Sequence, residues 1–270
     1  MTHSWTDADT EAVTCCVCGR TGSPIYDLDP FGVVRCPQCG LVFVSPRLTG
    51  AALQRLYDDV DYFEGDGSVY GAGVSGNANS AAMFLQRQWM RGRLALAAEL
   101  ARDTSGSRLL EVGCAYGLFL AAARSRGYDV TGVELSTNAA AHARDRLGLT
   151  VHCTQLADAP LAGPYDVVCA WDTLEHVPDP VQFWLAVRKL VADDGVVLFS
   201  TPYFSSVPSR VLRSRWWTLK PTEHIWHFTP KTHRLVAEQA GLRVTQVIRN
   251  PLRRANLGRL DSLVGVARAI

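Results

Sequence analysis

The sequence predicts an α/β fold, a doubly wound and mostly parallel sheet, with a small cysteine-bearing module ahead of it. Three observations carry this reading. From residue 108 onward, short apolar runs of strand period alternate with longer runs of helical period. The stretch LLEVGCAYGLFL, residues 109 to 120, passes from strand to helix through a loop holding Gly113 and Gly117, the kind of junction at which such sheets hold ligands. Two Cys-x-x-Cys-Gly runs, Cys15 to Gly19 and Cys36 to Gly40, lie near the start.

The cysteine pairs come first in the chain. Seventeen residues separate Cys18 from Cys36, so Cys15, Cys18, Cys36 and Cys39 form two matching knuckles of soft ligands, as a tetrahedral Zn²⁺ site requires. Four thiolates leave no open coordination position, which makes the metal structural and the segment 1–47 a small zinc ribbon. The glycine after each pair permits a tight turn. Cys16 is the spare, because only the 15/18 spacing matches 36/39. A disulfide framework would need an oxidising compartment. Met1 to Glu11 is polar and acidic, without the apolar core of a signal peptide, and a cytoplasmic protein is expected. Cys114, Cys153 and Cys169 occur singly and are expected to be small core residues.

LVFVSPR reads as the last ribbon strand and its exit turn, after which Thr49 caps a short helix ending near Tyr57. The Gly-, Ser- and Asn-rich stretch YDDVDYFEGDGSVYGAGVSGNANS predicts a mobile loop, and 81–102 has helical apolar spacing. Together, 48–103 is expected to link the ribbon to the main domain, 104–270, and to cover its ligand. In that domain the patterns predict strands at 108–113, 129–135, 150–153, 165–172, 195–201 and 243–249, and helices at 117–127, 137–147, 180–192 and 230–241. Asp179 with Pro180, and Thr229 with Pro230, mark two helix starts, while Gly195 and Gly241 mark ends. DSLVGVARAI alternates like a final strand.

Composition narrows the function classes. At 270 residues with 47% hydrophobic content the chain can bury a full core, and no run reaches the roughly 20 apolar residues of a membrane span. The net charge of +1 conceals a split: residues 1–200 carry 15 Lys and Arg against 23 Asp and Glu, and residues 201–270 carry 12 against 3. A basic C-terminal quarter suits acidic or phosphorylated partners, and a solvated Arg-rich surface is the plainer reading.

The glycine loop then selects a ligand. A dinucleotide fingerprint needs G-x-G-x-x-G to bring backbone amides onto pyrophosphate. Here the spacing is Glu111-x-Gly113-x-x-x-Gly117, with Cys114 inside the loop and a carboxylate at the strand end. An acidic strand end suits a ligand with a cationic portion and no phosphate. Glu134, 23 residues after Glu111 at the tip of the next strand, is placed to accept both hydroxyls of a ribose. Ribose without pyrophosphate points to S-adenosylmethionine.

At these residues the sequence resembles the class I S-adenosylmethionine-dependent methyltransferases. LLEVGCAYGLFL is similar to their first motif and DVTGVELS to their second. YDVVCAWDTLEHVPDP is similar to the fourth-strand motif with the Leu-Glu-His-Val-Pro-Asp-Pro signature of one large subgroup. GVVLFSTP and EHIWHFTPKTHRLVAEQAGL continue the likeness, and the cysteine-bearing front end resembles a subset with an N-terminal zinc ribbon. The resemblance implies a seven-stranded Rossmann-like sheet. It also implies that Glu111, Gly113, Cys114 and Gly117 shape the methionine end and that Glu134 and Leu135 lie at the ribose. Gln155 and Leu156 would border the adenine, and Asp172 would sit near the methionine amino group or the substrate. Family members often carry an acidic residue at the adenine amine, where Thr154 and Gln155 stand here.

Methyl transfer from a sulfonium is an in-line displacement, so alignment supplies much of the catalysis. An acceptor that must lose a proton wants a general base, for which histidine is the natural choice near neutral pH. His176 lies just beyond the fourth strand, and His224 and His227 flank Ile225-Trp226 before a helix; a packing or loop-locking role is the alternative for each. Tyr62 is the foremost of three tyrosines that could cover the sulfonium by a cation–π contact. The 26-residue connection 203–228 is long for a compact domain. Its Tyr203, Arg213, Trp216 and Trp217 suggest a lid over an acidic or sugar-like acceptor, with burial of both tryptophans as the competing reading. The expectation is therefore methylation of a small molecule: a sugar, a nucleotide-linked sugar or a secondary-metabolite intermediate. An RNA methyltransferase is the first alternative, weakened because residues 1–50 hold only Arg20, Arg35 and Arg47 as basic groups. A non-catalytic cofactor- or partner-binding protein is the second.

Overall fold

The computed structural model describes residues 5–58, 80–101 and 105–270, and the loop containing Tyr62 lies outside them. The front module is built from five short strands. β1 (Thr10–Glu11) pairs antiparallel with β5 (Arg47–Leu48), while β2 (Ser23–Leu28), β3 (Phe31–Arg35) and β4 (Val42–Val44) form an antiparallel meander. Its apolar side chains Val33, Leu41, Phe43 and Val44 are fully buried. Two helices follow, α1 (Gly50–Asp58) and α2 (Ser80–Leu100).

The main domain then runs β6 (Arg108–Val112), α3 (Leu118–Arg124), β7 (Asp129–Glu134), α4 (Thr137–Leu147), β8 (Val151–Cys153), β9 (Tyr165–Trp171), α5 (Pro180–Leu190), β10 (Val191–Pro202), α6 (Val207–Leu212), β11 (Trp226–His227), α7 (Pro230–Glu238), β12 (Leu242–Ile248) and β13 (Ser262–Ala269). Local chemistry explains the helix starts. The Asp179 carboxylate accepts from the Val181 and Gln182 amides, and the Thr229 hydroxyl accepts from the Thr232 amide, each beside a proline in the first turn. The helix expected over 180–192 stops at Leu190 because Val191 already pairs with Tyr165, and a register shift before Val196 leaves the Gly195 region as a bulge.

Seven strands form one sheet in the order β12-β13-β10-β9-β6-β7-β8. β8, β7, β6, β9 and β10 are parallel, and β13 runs antiparallel between β10 and β12. The strand order reverses at β6 and β9, so the crevice beyond their carboxyl ends is where such a sheet receives a ligand. Leu94 and Ala97 of α2, Phe119 and Leu120 of α3, and Ala140 and Ala143 of α4 cover one face. Phe183 and Trp184 of α5 and Val236 of α7 cover the other, in a core continuous with Phe43 and Leu48 of the front module.

The front module is joined further by β11, which pairs antiparallel with β4 to give a four-stranded sheet, β11-β4-β3-β2. Cys114 and Cys169 are buried as expected, but Cys153 is exposed, because β8 is an edge strand of the large sheet. Among the described residues, no helix is long and apolar enough to cross a membrane.

Candidate active site

The loop after β6 is shaped by left-handed backbone at Gly113 (φ 73°), Ala115 (φ 46°) and Gly117 (φ 77°). A Cβ at Gly113 would stand 2.5 Å from Thr173 Oγ1, and one at Gly117 would stand 2.6 Å from Leu149 Cδ1. Both positions therefore need glycine for conformation and for space. Glu134, at the end of β7, braces the loop: its buried carboxylate accepts from the Ala115 amide and the Ser136 amide, each at 2.8 Å. Glu111 is buried with Oε2 unpartnered, and burial pushes its carboxyl well above the usual range, opposed by the nearby Arg93 charge. Beside this loop lies a small cleft of about 20 Å³ lined by Gln86, Trp89, Arg93, Glu111 and Trp171. Leu135 and Gln155 are exposed and Leu156 is half-buried at the ends of β7 and β8.

The floor of the cleft is a cluster that sequence reading did not find. Arg93 of α2 is fully buried, its guanidinium 4.1 Å from the Trp89 ring and 4.4 Å from the Trp171 ring. It donates to Ser200 Oγ at 3.0 Å and lies 3.6 Å from the Asp172 carboxylate. Asp172 is also held by Arg259 at 2.5 Å and accepts from the Ser200 hydroxyl at 2.9 Å. Asp172, just beyond the end of β9, is thus paired with two arginines. A helical run with Trp89 and Arg93 four residues apart was the available signal, and nothing local tied it to β9.

The three expected histidines separate. The His176 and His224 rings meet edge to face, centroids 4.7 Å apart, beside buried Glu175. The His224 ring engages the Thr218 carbonyl through Nδ1 at 2.7 Å. Burial, reinforced by the neighbouring His224, pushes His176 down to about 3. His227 does not join them. It lies in β11 under the front module, 1% exposed, packed near Phe204 and Trp216, and burial likewise pushes it down to about 3. A catalytic role for His227 is corrected on this ground.

The lid expectation divides in the same way. Trp216 is 2% exposed, packs with Val33, Val42 and Leu219, and donates through Nε1 to Asp261 at 2.9 Å. It pins the segment to the front module and presents no face to an acceptor. Trp217 and Arg213 are exposed. Tyr203 is half-buried, with Arg249 3.4 Å from its hydroxyl.

In the front module the Cys15, Cys18, Cys36 and Cys39 sulfurs all lie within 4.8 Å of one another. The knuckles repeat one hydrogen-bond pattern: Gly19 N donates to Cys15 O and Gly40 N to Cys36 O, at 2.8 and 3.0 Å. Burial raises the Cys36 thiol, but the amides of Cys39 and Gln38 outweigh this and bring it down to about 7. The donor set and its spacing fit a tetrahedral zinc ion.

A family model described as a methyltransferase domain matches residues 81–247. The chain therefore belongs to the class I S-adenosylmethionine-dependent methyltransferases. The ubiquinone biosynthesis O-methyltransferase of Psychrobacter arcticus is 39% identical over 106 residues, 36% of this chain and 41% of that protein. The one from Actinobacillus pleuropneumoniae serotype 7 is 30% identical over 154 residues, 52% of this chain and 63% of that protein. The chain thus spans about half the length of the curated relatives it matches. The magnesium protoporphyrin IX methyltransferase of Synechocystis PCC 6803, solved with bound SAH, superposes with a TM-score of 0.58 at 17% identity, covering 77% of this chain and 97% of that one. An S-adenosylmethionine-dependent methyltransferase from Mesorhizobium loti superposes at 0.53 with 20% identity, covering 66% and 97%. These likenesses show the fold.

Proposed function

We propose that the protein transfers the methyl group of S-adenosylmethionine to a small-molecule acceptor in the cytoplasm. In this reading, ribbon 1–47 carries a structural Zn²⁺, segment 48–103 covers the cofactor and domain 104–270 performs the transfer. One observation carries the proposal: two buried carboxylates at adjacent strand ends, Glu111 and Glu134, flank a glycine-shaped loop beside a small cleft. S-adenosylmethionine, when bound, supplies an electrophilic methyl on a sulfonium. Glu134, already oriented by two backbone amides, has lone pairs left for the ribose hydroxyls. Glu111 and the Arg93–Asp172 pair face the methionine end, where an amine and a carboxylate need opposite charges. Trp89 and Trp171 keep that end dry, and Leu135, Gln155 and Leu156 border the adenine.

The acceptor enters beyond β9, where His176 and His224 stand. Burial pushes the His176 ring down to about 3, which makes it a weak base at neutral pH, so alignment of the acceptor carries the transfer more than proton removal does. Exposed Arg213 and Trp217 support an acidic or sugar-like acceptor, as do the names of the ubiquinone-pathway relatives for a small molecule in general. The RNA reading loses support, since Arg47 is occupied by Glu11 and the Pro178 carbonyl. Calorimetry with S-adenosylhomocysteine on the native protein and on Glu134→Gln tests the proposal. Weakening of about 10- to 100-fold is expected, since a hydrogen bond to a charged group contributes about 1.5–3 kcal/mol. No binding by the native protein would overturn the reading. Incubation with labelled S-adenosylmethionine and cell extract, followed by separation of small molecules from RNA and protein, then identifies the acceptor class.

A further inference from the structure

We propose that Glu175, His176 and His224 form a second metal site, distinct from the four cysteines, that binds one divalent transition cation through two imidazole nitrogens and a carboxylate. The inference rests on the placement of this cluster at the crevice of the proposed methyltransferase, but its geometry stands by itself. One ligand atom from each of the three residues lies within 4.8 Å of the other two. Both Glu175 carboxylate oxygens and His176 Nδ1 are buried and unpartnered.

One ring is oriented from outside the cluster. His224 Nδ1 engages the Thr218 carbonyl at 2.7 Å, which makes it the protonated nitrogen and leaves Nε2 with its lone pair. His176 Nδ1 is buried and has no hydrogen-bond partner among the described residues. The His224 imidazole, held in one tautomer by a backbone carbonyl, and the His176 ring thus stand beside a buried carboxylate. Ligating histidines are held in this way, by an outer partner on the other ring nitrogen. Among the described residues no hydrogen-bond partner reaches the Glu175 oxygens or His176 Nδ1, so three buried polar atoms converge unsatisfied. Buried polar groups of this kind demand a partner, and a cation satisfies all three at once.

Residue chemistry sets the class of ion. Two nitrogens and one oxygen suit zinc, manganese or ferrous iron over calcium or magnesium, which take oxygen ligands. Three protein ligands also leave at least one position open. His176 and His224 are half-buried, so that position has access to the crevice and to an acceptor oxygen. The four cysteines form a closed site; this one is open. The loop geometry assists: Asp172 adopts φ 51°, and the Glu175 carbonyl accepts from the Ile225 and Trp226 amides at 2.9 and 3.2 Å, clamping the two ligand-bearing segments together.

The test is a Co²⁺ titration of the full-length, metal-stripped protein followed by absorption spectroscopy and metal analysis. The first signal, a thiolate-to-cobalt charge-transfer band, reports the four cysteines. The proposal expects a second equivalent to bind with ligand-field absorption and no added charge transfer. Glu175→Gln and His224→Asn, tested separately, are expected to weaken that second equivalent at least 10- to 100-fold, the range that loss of even an outer-shell partner costs, while keeping the cysteine signal. Retained S-adenosylhomocysteine binding in the same variants certifies their fold. A protein that takes up only one equivalent overturns the proposal, and so does a second equivalent unaffected in both variants. Failure of the methyltransferase reading appears separately, as absent S-adenosylhomocysteine binding by the native protein.

Discussion

The Arg93 guanidinium lies 3.6 Å from the Asp172 carboxylate, tying a helix that precedes the sheet to the end of the fourth parallel strand. The pair is enclosed: Arg93 is fully buried, and Trp89 and Trp171 pack on its charge at 4.1 and 4.4 Å. Removing one partner of such a pair strands the other in a poorly solvated place, which costs about 3–5 kcal/mol. Arg259 remains beside Asp172, so Arg93→Met is expected at the lower end, about 3 kcal/mol. Urea denaturation checks the stability loss, and calorimetry is expected to show S-adenosylhomocysteine affinity falling with it.

Gly113→Ala probes the loop without touching a charge. The new methyl group would sit 2.5 Å from Thr173 Oγ1 at a residue with φ 73°, so both sterics and backbone oppose it. The variant should lose about 1–3 kcal/mol of stability and most of its affinity for S-adenosylhomocysteine. Gly113→Ala combined with Thr173→Ala, which removes the Oγ1 and Cγ2 contacts, should recover only part of the loss because the dihedral strain persists. Full recovery of binding in the double variant would show that space alone matters.

Acid sensitivity follows from His233. Its Nε2 lies 2.8 Å from Thr201 Oγ1, its ring stacks on Phe228 at 4.3 Å, and burial pushes it down to about 3. The unfolded imidazole binds a proton below its ordinary value near 6.5, while the folded one stays neutral to about 3. The folded state's advantage is therefore complete above that ordinary value and is lost progressively as pH falls toward about 3. The slope contributed is about 1.4 kcal/mol per pH unit within the window. Urea midpoints at several pH values between neutrality and mild acid are expected to fall more steeply for the native protein than for His233→Asn. Parallel slopes would remove His233 as the cause.

Metal removal should reach beyond the front module. β4, which follows the second cysteine knuckle, carries β11, and Trp216 packs against Val33 and Val42. Chelation is expected to lower the melting temperature, to shift tryptophan emission to longer wavelength as Trp216 and Trp226 meet water, and to be reversed by Zn²⁺. Unchanged emission under a chelator that demonstrably strips zinc would separate the module from the main domain energetically.

Much of this architecture is legible in local chemistry. Asp179 with Pro180 and Thr229 with Pro230 announce helices that begin at those residues, because a cap and its proline act within one turn. The two Cys-x-x-Cys-Gly knuckles bring their ligands together through two tight turns and one hairpin, and Glu111, Gly113 and Glu134 end adjacent strands whose pairing follows from the alternating pattern. Boundaries depend on partners more than on pattern: α5 yields at Leu190 because Val191 finds Tyr165. Cys153 reads as core from its neighbours and is exposed because its strand lies at the edge of the sheet.

Other features were settled by packing across the chain. Trp216 and Trp217 are adjacent and chemically identical, yet one is 2% exposed and the other 56%; only the approach of the front module distinguishes them. His227 and His224 are three residues apart, but pairing of β11 with β4 buries the former under the ribbon while the latter meets His176. Arg93 finds Asp172, and Glu175 finds His224, across separations that no periodicity encodes. The sequence alone determined the strand–helix alternation, the caps, the cysteine knuckles and the acidic strand ends, because those depend on residues within a few turns of one another. The tertiary structure alone decided which polar groups converge and which aromatics are buried, because burial and charge pairing depend on what the fold brings alongside.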